Sequence, residues 1–204
     1  IYLTTRPDLG DVSHGEMVTI DNFQRLFNGI LNSKDLEGLR LLVTQFPQQQ
    51  FNATRDRKTE KPAGLQGVAC LDCHNNGHTT GQFHLSPDIR PQKRRFRLDT
   101  VSLRGVFNQQ IHGSKRSLRS VEDFTEFEQR TAYFNGDEIH AIKKGMNILN
   151  RVQLSHMAQL QNMLDFPPAP KLRYDGRLDH GKATDRELRG EKVFFGKGQC
   201  SLCH

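Results

Sequence analysis

Apolar positions along the chain recur at helical spacing more often than they alternate. Phe23, Leu26, Phe27, Ile30 and Leu31 fall at i, i+3, i+4, i+7 and i+8, the stripe of an amphipathic helix, with Asp21 as its N-cap. A second apolar stretch runs from Leu36 to Phe46 and stops before Pro47. Ser120 is the expected N-cap of a helix presenting Val121, Phe124 and Phe127 on one face. Asp137 opens a further helix, whose stripe of Ile139, Ile142, Met146, Leu149, Leu160 and Met163 breaks near Asn150. Thr184-Asp185-Arg186-Glu187 reads as a capping box for a helix carrying Leu188 and Phe194. Short strands are expected at 1–5 and 17–20. The predicted fold class is mainly α with long irregular loops.

Two stretches lack any period. Residues 48–62 are polar and charged, and read as a long loop. The segment from Asn75 to about Phe107 is rich in Gly, His, Pro and Arg, the composition of loops that wrap a bound group. Phe166-Pro167-Pro168-Ala169-Pro170 cannot continue a helix and reads as a linker. The expected organisation is an N-terminal extension with a helix (1–60), a first domain (61–165), a linker (166–182) and the start of a second domain (183–204). The ~20 residues after the linker are too few to enclose a cofactor, so this second domain is expected to be incomplete.

Composition adds one constraint. Of 204 residues only 35% are hydrophobic and none is tryptophan, so the core is thin for the length. Runs such as Leu41-Leu42-Val43 are far short of the ~18–20 residues that cross a bilayer, and no transmembrane segment is expected. Lys plus Arg is 29 against 23 for Asp plus Glu, a net +6. The only dense basic cluster, Arg90 to Arg97, lacks the extent of a nucleic-acid stripe. It reads as a solvated loop, or as arginines suited to carboxylates or to an acidic partner.

The cysteines carry the chemistry. All four fall in two pairs, each followed by histidine: Cys70-Leu71-Asp72-Cys73-His74 and Cys200-Ser201-Leu202-Cys203-His204. From this composition a given cysteine acquires both partners by chance with a frequency of roughly 0.0007. Cys-x-x-Cys-His is the attachment pattern of c-type haem. Its spacing sets two thiols on one side of a helical turn, to add across the porphyrin vinyl groups, and the adjacent imidazole reaches the iron. Two covalent haems are therefore expected, with Cys70, Cys73, Cys200 and Cys203 as attachment residues and His74 and His204 as iron ligands. Three rival readings fit less well. A four-cysteine zinc module usually separates its pairs by some 12–20 residues, whereas these lie 130 positions apart. A thioredoxin-like dithiol wants a βαβ setting, and neither it nor a structural disulfide explains the trailing histidines. Two ferric haems with ionised propionates bring about −1 each, leaving the molecule near +4. Covalent haem attachment implies export to a bacterial periplasm or cell surface. The start Ile1-Tyr2-Leu3-Thr4 has no signal-peptide pattern, so a trimmed leader is expected.

The order of motifs resembles a family. It runs from the first Cys-x-x-Cys-His through Arg97-x-x-Thr100-x-Ser102-Leu103-Arg104 to His112-Gly113 with Ser117-Leu118 and an acidic helix. Then come the proline-rich linker, Asp175-Gly176-Arg177-Leu178, and Gly190-x-x-x-Phe194 before the second motif. Over roughly residues 65–204 this is similar to the bacterial dihaem cytochrome c peroxidases and their relatives that mature methylamine dehydrogenase. The resemblance implies two cytochrome c-like domains, a peroxidatic haem at His74 and an electron-transfer haem at His204. It also implies a small electron-donor protein of cytochrome c or cupredoxin type, hydrogen peroxide or a related oxidant as substrate, and leaves a homodimer open. His112 stands beside the position where the family carries an inter-haem tryptophan, and is a candidate bridge. His84 and His78 fall in the interval of the family's distal histidine. His84 is a candidate sixth ligand or distal acid/base, or else a loop histidine, and His78 is expected to cap or pack nearby. Glu126 and Glu128 are candidates for the distal carboxylate, or a solvated face. Met146, Met157 and Met163 are expected in core packing. Two functions follow: a peroxidase-like oxidoreductase fed by the second haem, or a dihaem electron carrier without chemistry of its own.

Overall fold

The computed structural model describes residues 1–45, 69–81, 83–85, 97–109, 111–113, 116–129, 138–143, 148–173 and 175–203. The predicted loop at 48–62, residues 90–96 of the basic cluster, Asp137, Met146 and His204 lie outside the described residues. The chain divides into two compact units, Ile1–Phe166 and Pro167–His204. It is mainly helical. The first unit carries β1 (Tyr2–Leu3), α1 (Phe23–Phe27), α2 (Ser33–Leu42), α3 (Cys70–Cys73), β2 (Phe83–Leu85), β3 (Arg97–Asp99), α4 (Val121–Phe127), α5 (Glu138–Lys143), α6 (Arg151–Gln161) and β4 (Leu164–Asp165); the second carries α7 (Asp185–Phe195). Among the described residues no helix is long and apolar enough to cross a membrane.

α2 and α6 form the centre of the first unit. Asn32 caps α2, its Oδ1 accepting from the Lys34 and Asp35 amides at 2.9 and 3.0 Å. The stripe break predicted near Asn150 is a helix start. Asn150 is extended (φ −81°, ψ 171°), and it exchanges two 3.0 Å bonds with Gln153 in a capping box. Gly38 lets the two helices meet: a Cβ there would stand 2.2 Å from the His156 carbonyl oxygen. Leu39 and Leu42 on α2 and Leu154, Met157 and Leu160 on α6 are buried at this contact, each such side chain stabilising by about 1.5–3 kcal/mol. The antiparallel β1–β4 pair, with Leu3 opposite Leu164, adds two more buried leucines. Leu71, Leu103 and Val121 belong to the same core, so residues 1–45 and the first cysteine segment are packed on one apolar cluster.

Several local expectations are redrawn. α1 is shorter than its apolar stripe, because Asn28 leaves the helix and Gly29 follows at φ +76°; Ile30 and Leu31 pack against the core from beyond its end. Its cap position is Asn22, not Asp21. Residues 17–20 are irregular rather than a strand: Asn22 accepts from the Thr19 amide and donates to the Met17 carbonyl, which leads the segment into α1. Ser120 does cap α4, accepting from the Asp123 amide at 3.0 Å. The buried face of α4 is Val121 and Thr125, however, and Phe127 is 42% exposed. The Thr125 hydroxyl donates to the Val121 carbonyl and accepts from Gln161 Nε2, both at 2.8 Å, which makes that face the one that meets α6. Ile139 and Ile142 are exposed, while Met157 is in the core as expected.

In the second unit the Thr184 capping box forms. Glu187 Oε2 accepts from the Thr184 amide and hydroxyl at 2.7 and 2.8 Å, and Lys171 Nζ donates to both carboxylate oxygens. The Arg177 guanidinium lies 3.5 Å from the centre of the Phe195 ring, a cation–π contact. No residue of α7 is fully buried.

Candidate cofactor-attachment site

The first cysteine motif is a single helical turn with its histidine just beyond. Ala69 precedes it in extended conformation and donates its amide to Asp72 Oδ2 at 2.8 Å. The i, i+3 spacing puts Cys70 and Cys73 on one side of the turn, and both are half-buried. Leu71, pointing away, is buried in the core and fixes the turn's roll. The His74 amide closes the turn on the Cys70 carbonyl at 3.0 Å, and the Thr80 amide donates to the Cys73 carbonyl at 3.1 Å.

A second strand of chain holds the histidines. His74 Nδ1 lies 2.8 Å from the Val101 carbonyl oxygen. A carbonyl only accepts, so Nδ1 carries the proton, and in the neutral imidazole the lone pair is on Nε2. Alongside, the Thr79 hydroxyl donates to the Thr100 carbonyl, His78 Nδ1 is 2.8 Å from Ser102 Oγ, and the Leu103 amide donates to the Gly77 carbonyl at 3.0 Å. His78 also meets Phe166 edge-on, at 6.5 Å between ring centres. Asn76, at φ +48°, ties the N-terminal segment down: its Oδ1 accepts from the Val18 amide at 2.9 Å and its Nδ2 donates to the Glu16 carbonyl at 2.7 Å.

The thiols are poor acids. Burial pushes the Cys70 thiol up to about 12, and the Glu128 carboxylate adds to the rise. Cys73 is raised by burial and by Asp72. Among the described residues no cluster of three or more His, Cys, Asp or Glu is arranged to hold a bare metal ion. A haem attached through thioethers needs two reduced thiols on one side of a turn and an imidazole offering Nε2, and this donor set fits that group.

The other candidates are distributed as follows. Glu128 follows α4 within electrostatic reach of Cys70. Glu126 forms an ion pair with Arg151. His84 lies in the middle of β2, opposite Leu98 of β3. His112 is half-buried and exchanges two backbone bonds with Leu118, at 2.7 and 3.3 Å. In the second unit Cys200 begins a 3-10 turn after Gln199 at φ +52°, and Cys200 and Cys203 are both exposed.

Sequence reasoning missed three supports of the first site, Val101, Ser102 and Asn76, and one buried glutamine beyond α4, Gln129. The Val101 carbonyl has no side-chain signature, and Ser102 and Asn76 look like ordinary loop residues. Gln129 did leave a signal. It continues the spacing Val121, Thr125, Gln129, it is 2% exposed, and neither its Oε1 nor its Nε2 has a partner among the described residues. Compared with protein-family models, with curated proteins and with solved structures, the chain matches none.

Proposed function

We propose that the chain is an exported dihaem c-type cytochrome, acting as a peroxidase-like oxidoreductase at the first haem with electrons relayed from the second. The observation that carries this reading is the His74 Nδ1 contact with the Val101 carbonyl, beside two thiols on one turn. Cys70 and Cys73 would add their S–H groups across the two vinyl groups, one thioether each, a step that needs no oxidant. His74 would offer Nε2, oriented by Val101, a carbonyl partner that keeps the imidazole more basic than water would. Cys200, Cys203 and His204 repeat the motif and would hold the second group. Bound haem supplies a redox iron that exchanges single electrons and takes small oxygen ligands. Reduction of one hydrogen peroxide to two waters consumes two electrons and two protons. Glu128, whose charge reaches Cys70, would be the carboxylate that holds one of those protons. A small cytochrome or cupredoxin would be the electron donor, and the periplasm the compartment.

The test is an optical titration of the purified, haem-loaded protein. A high-spin ferric band that changes rapidly on adding peroxide supports the oxidoreductase. Two low-spin haems indifferent to peroxide and cyanide in every redox state would leave an electron carrier.

A further inference from the structure

The second unit sorts its charges by face. Two carboxylates of α7 turn inward. Glu187 binds Lys171 and the Thr184 amide and hydroxyl. Glu191 Oε1 accepts from the Leu178 amide at 2.8 Å, and His180 Nε2 is 3.9 Å from its other oxygen. The cations turn outward. Arg186, Arg189 and Lys192 follow one another at i+3 and are exposed, as is Lys197 just beyond the helix. None of the four pairs with a carboxylate among the described residues. Asp185, in the first turn, is the one α7 carboxylate exposed beside them. Val193 lies among them and is 41% exposed. This face reaches the second cysteine motif. The Gly198 amide donates to the Val193 carbonyl at 2.8 Å. A Cβ on Gly198 would stand 3.2 Å from both Val193 Cγ1 and Cys200 Sγ, so a side chain of the cationic face lies close to an attachment sulfur. Leu202, between the two cysteines, is 76% exposed.

We infer that this face of α7, with Arg186, Arg189, Lys192 and Lys197 around Val193, docks a small electron-transfer protein through a carboxylate-rich patch on that partner. This rests on the dihaem reading given above, and adds the sign of the partner's charge and the surface that receives it. Like charges one turn apart on a helix repel, and an acidic partner relieves that repulsion. Attraction between opposite patches steers such a partner to the cysteine end of the unit. A single apolar side chain inside a charged rim suits the small, brief contacts of electron-transfer proteins. An anionic lipid surface shares the charge but fits less well, because helices that lie in a membrane bury a broad apolar face, and the outer face of α7 offers Val193 alone.

The test uses the full-length, haem-loaded protein and two isotope-labelled probes followed by NMR: plastocyanin, an acidic cupredoxin, and mitochondrial cytochrome c, a basic protein. Plastocyanin should bind at low salt and weaken about tenfold between about 0.01 and 0.15 M ionic strength; cytochrome c should not bind. Arg189→Glu with Lys192→Glu should weaken plastocyanin binding about tenfold. Lys34→Glu with Lys143→Glu, the same change of net charge at exposed positions of the first unit, should leave it unchanged. If the reversal on α7 does not fold, Arg189→Gln with Lys192→Gln should weaken binding in the same direction. Equal weakening by the α7 and first-unit reversals, or equal binding of both probes, overturns the inference. So does binding to phosphatidylglycerol vesicles, abolished by the α7 reversal, while plastocyanin stays unbound. Pyridine haemochrome keeps the two readings apart: charge-sensitive docking on a native protein without covalent haem supports the acidic docking surface and overturns the dihaem reading.

Discussion

His74 Nδ1 stands 2.8 Å from the carbonyl oxygen of Val101, 27 residues further along the chain. The contact fixes both the tautomer and the plane of the ring, and it depends on residues 100–103 running beside 77–80. Ser102 anchors that pairing by receiving the Arg104 amide at 3.1 Å and meeting His78 at 2.8 Å. Ser102→Ala should cost about 1–2 kcal/mol in urea unfolding. The loaded protein should also show a broadened or shifted axial-histidine signal, by paramagnetic NMR.

Asn76 is held at φ +48° while its side chain makes two good bonds to the N-terminal segment. Asn76→Gly keeps the backbone and loses the bonds, at about 2 kcal/mol. Asn76→Ala adds a left-handed alanine and should reach about 3 kcal/mol. Equal losses in the two variants would contradict the strained-turn account.

Gly38 is a steric requirement. Alanine improves helix propensity by about 1 kcal/mol, but its Cβ would press on a backbone oxygen that cannot rotate away, an overpacking cost of about 1–3 kcal/mol or more. Gly38→Ala should therefore be destabilising by about 1–2 kcal/mol net, with a lower thermal midpoint.

The second unit should be acid-sensitive. Lys171, followed by the Thr184 amide and hydroxyl, holds the Glu187 carboxyl near 2, down from 4.5. A depressed carboxylate contributes its stabilisation above its unfolded value and loses it as pH falls through the folded one. α7 should thus loosen between about pH 4.5 and 2, seen as faster amide exchange. Glu187→Gln should exchange faster at neutral pH and lose that pH dependence.

Much of the scaffold was legible because caps and apolar periods act locally. Ser120, Thr184 and the break at Asn150 are side-chain signals read by the nearest amides, and each stands where the pattern predicted. The stripe at Phe23–Leu31 misled because an apolar period records burial, not helix length; Gly29 ends the helix and Ile30 and Leu31 are buried anyway. Phe124 and Phe127 misled for the converse reason, since a threonine–glutamine pair with α6 decides which face of α4 turns inward. Of the first site, the cysteines and His74 were visible as a motif. Their supports were not, because Val101 acts through its backbone and Asn76 through a left-handed turn.

The account depends on covalent haem at the two cysteine pairs. Intact mass of the native protein, read together with a pyridine haemochrome spectrum, tests it most directly. The prediction is a chain heavier by two haems, with an absorption maximum characteristic of two thioether bonds each. Colourless protein at the polypeptide mass, with four titratable thiols, would contradict it.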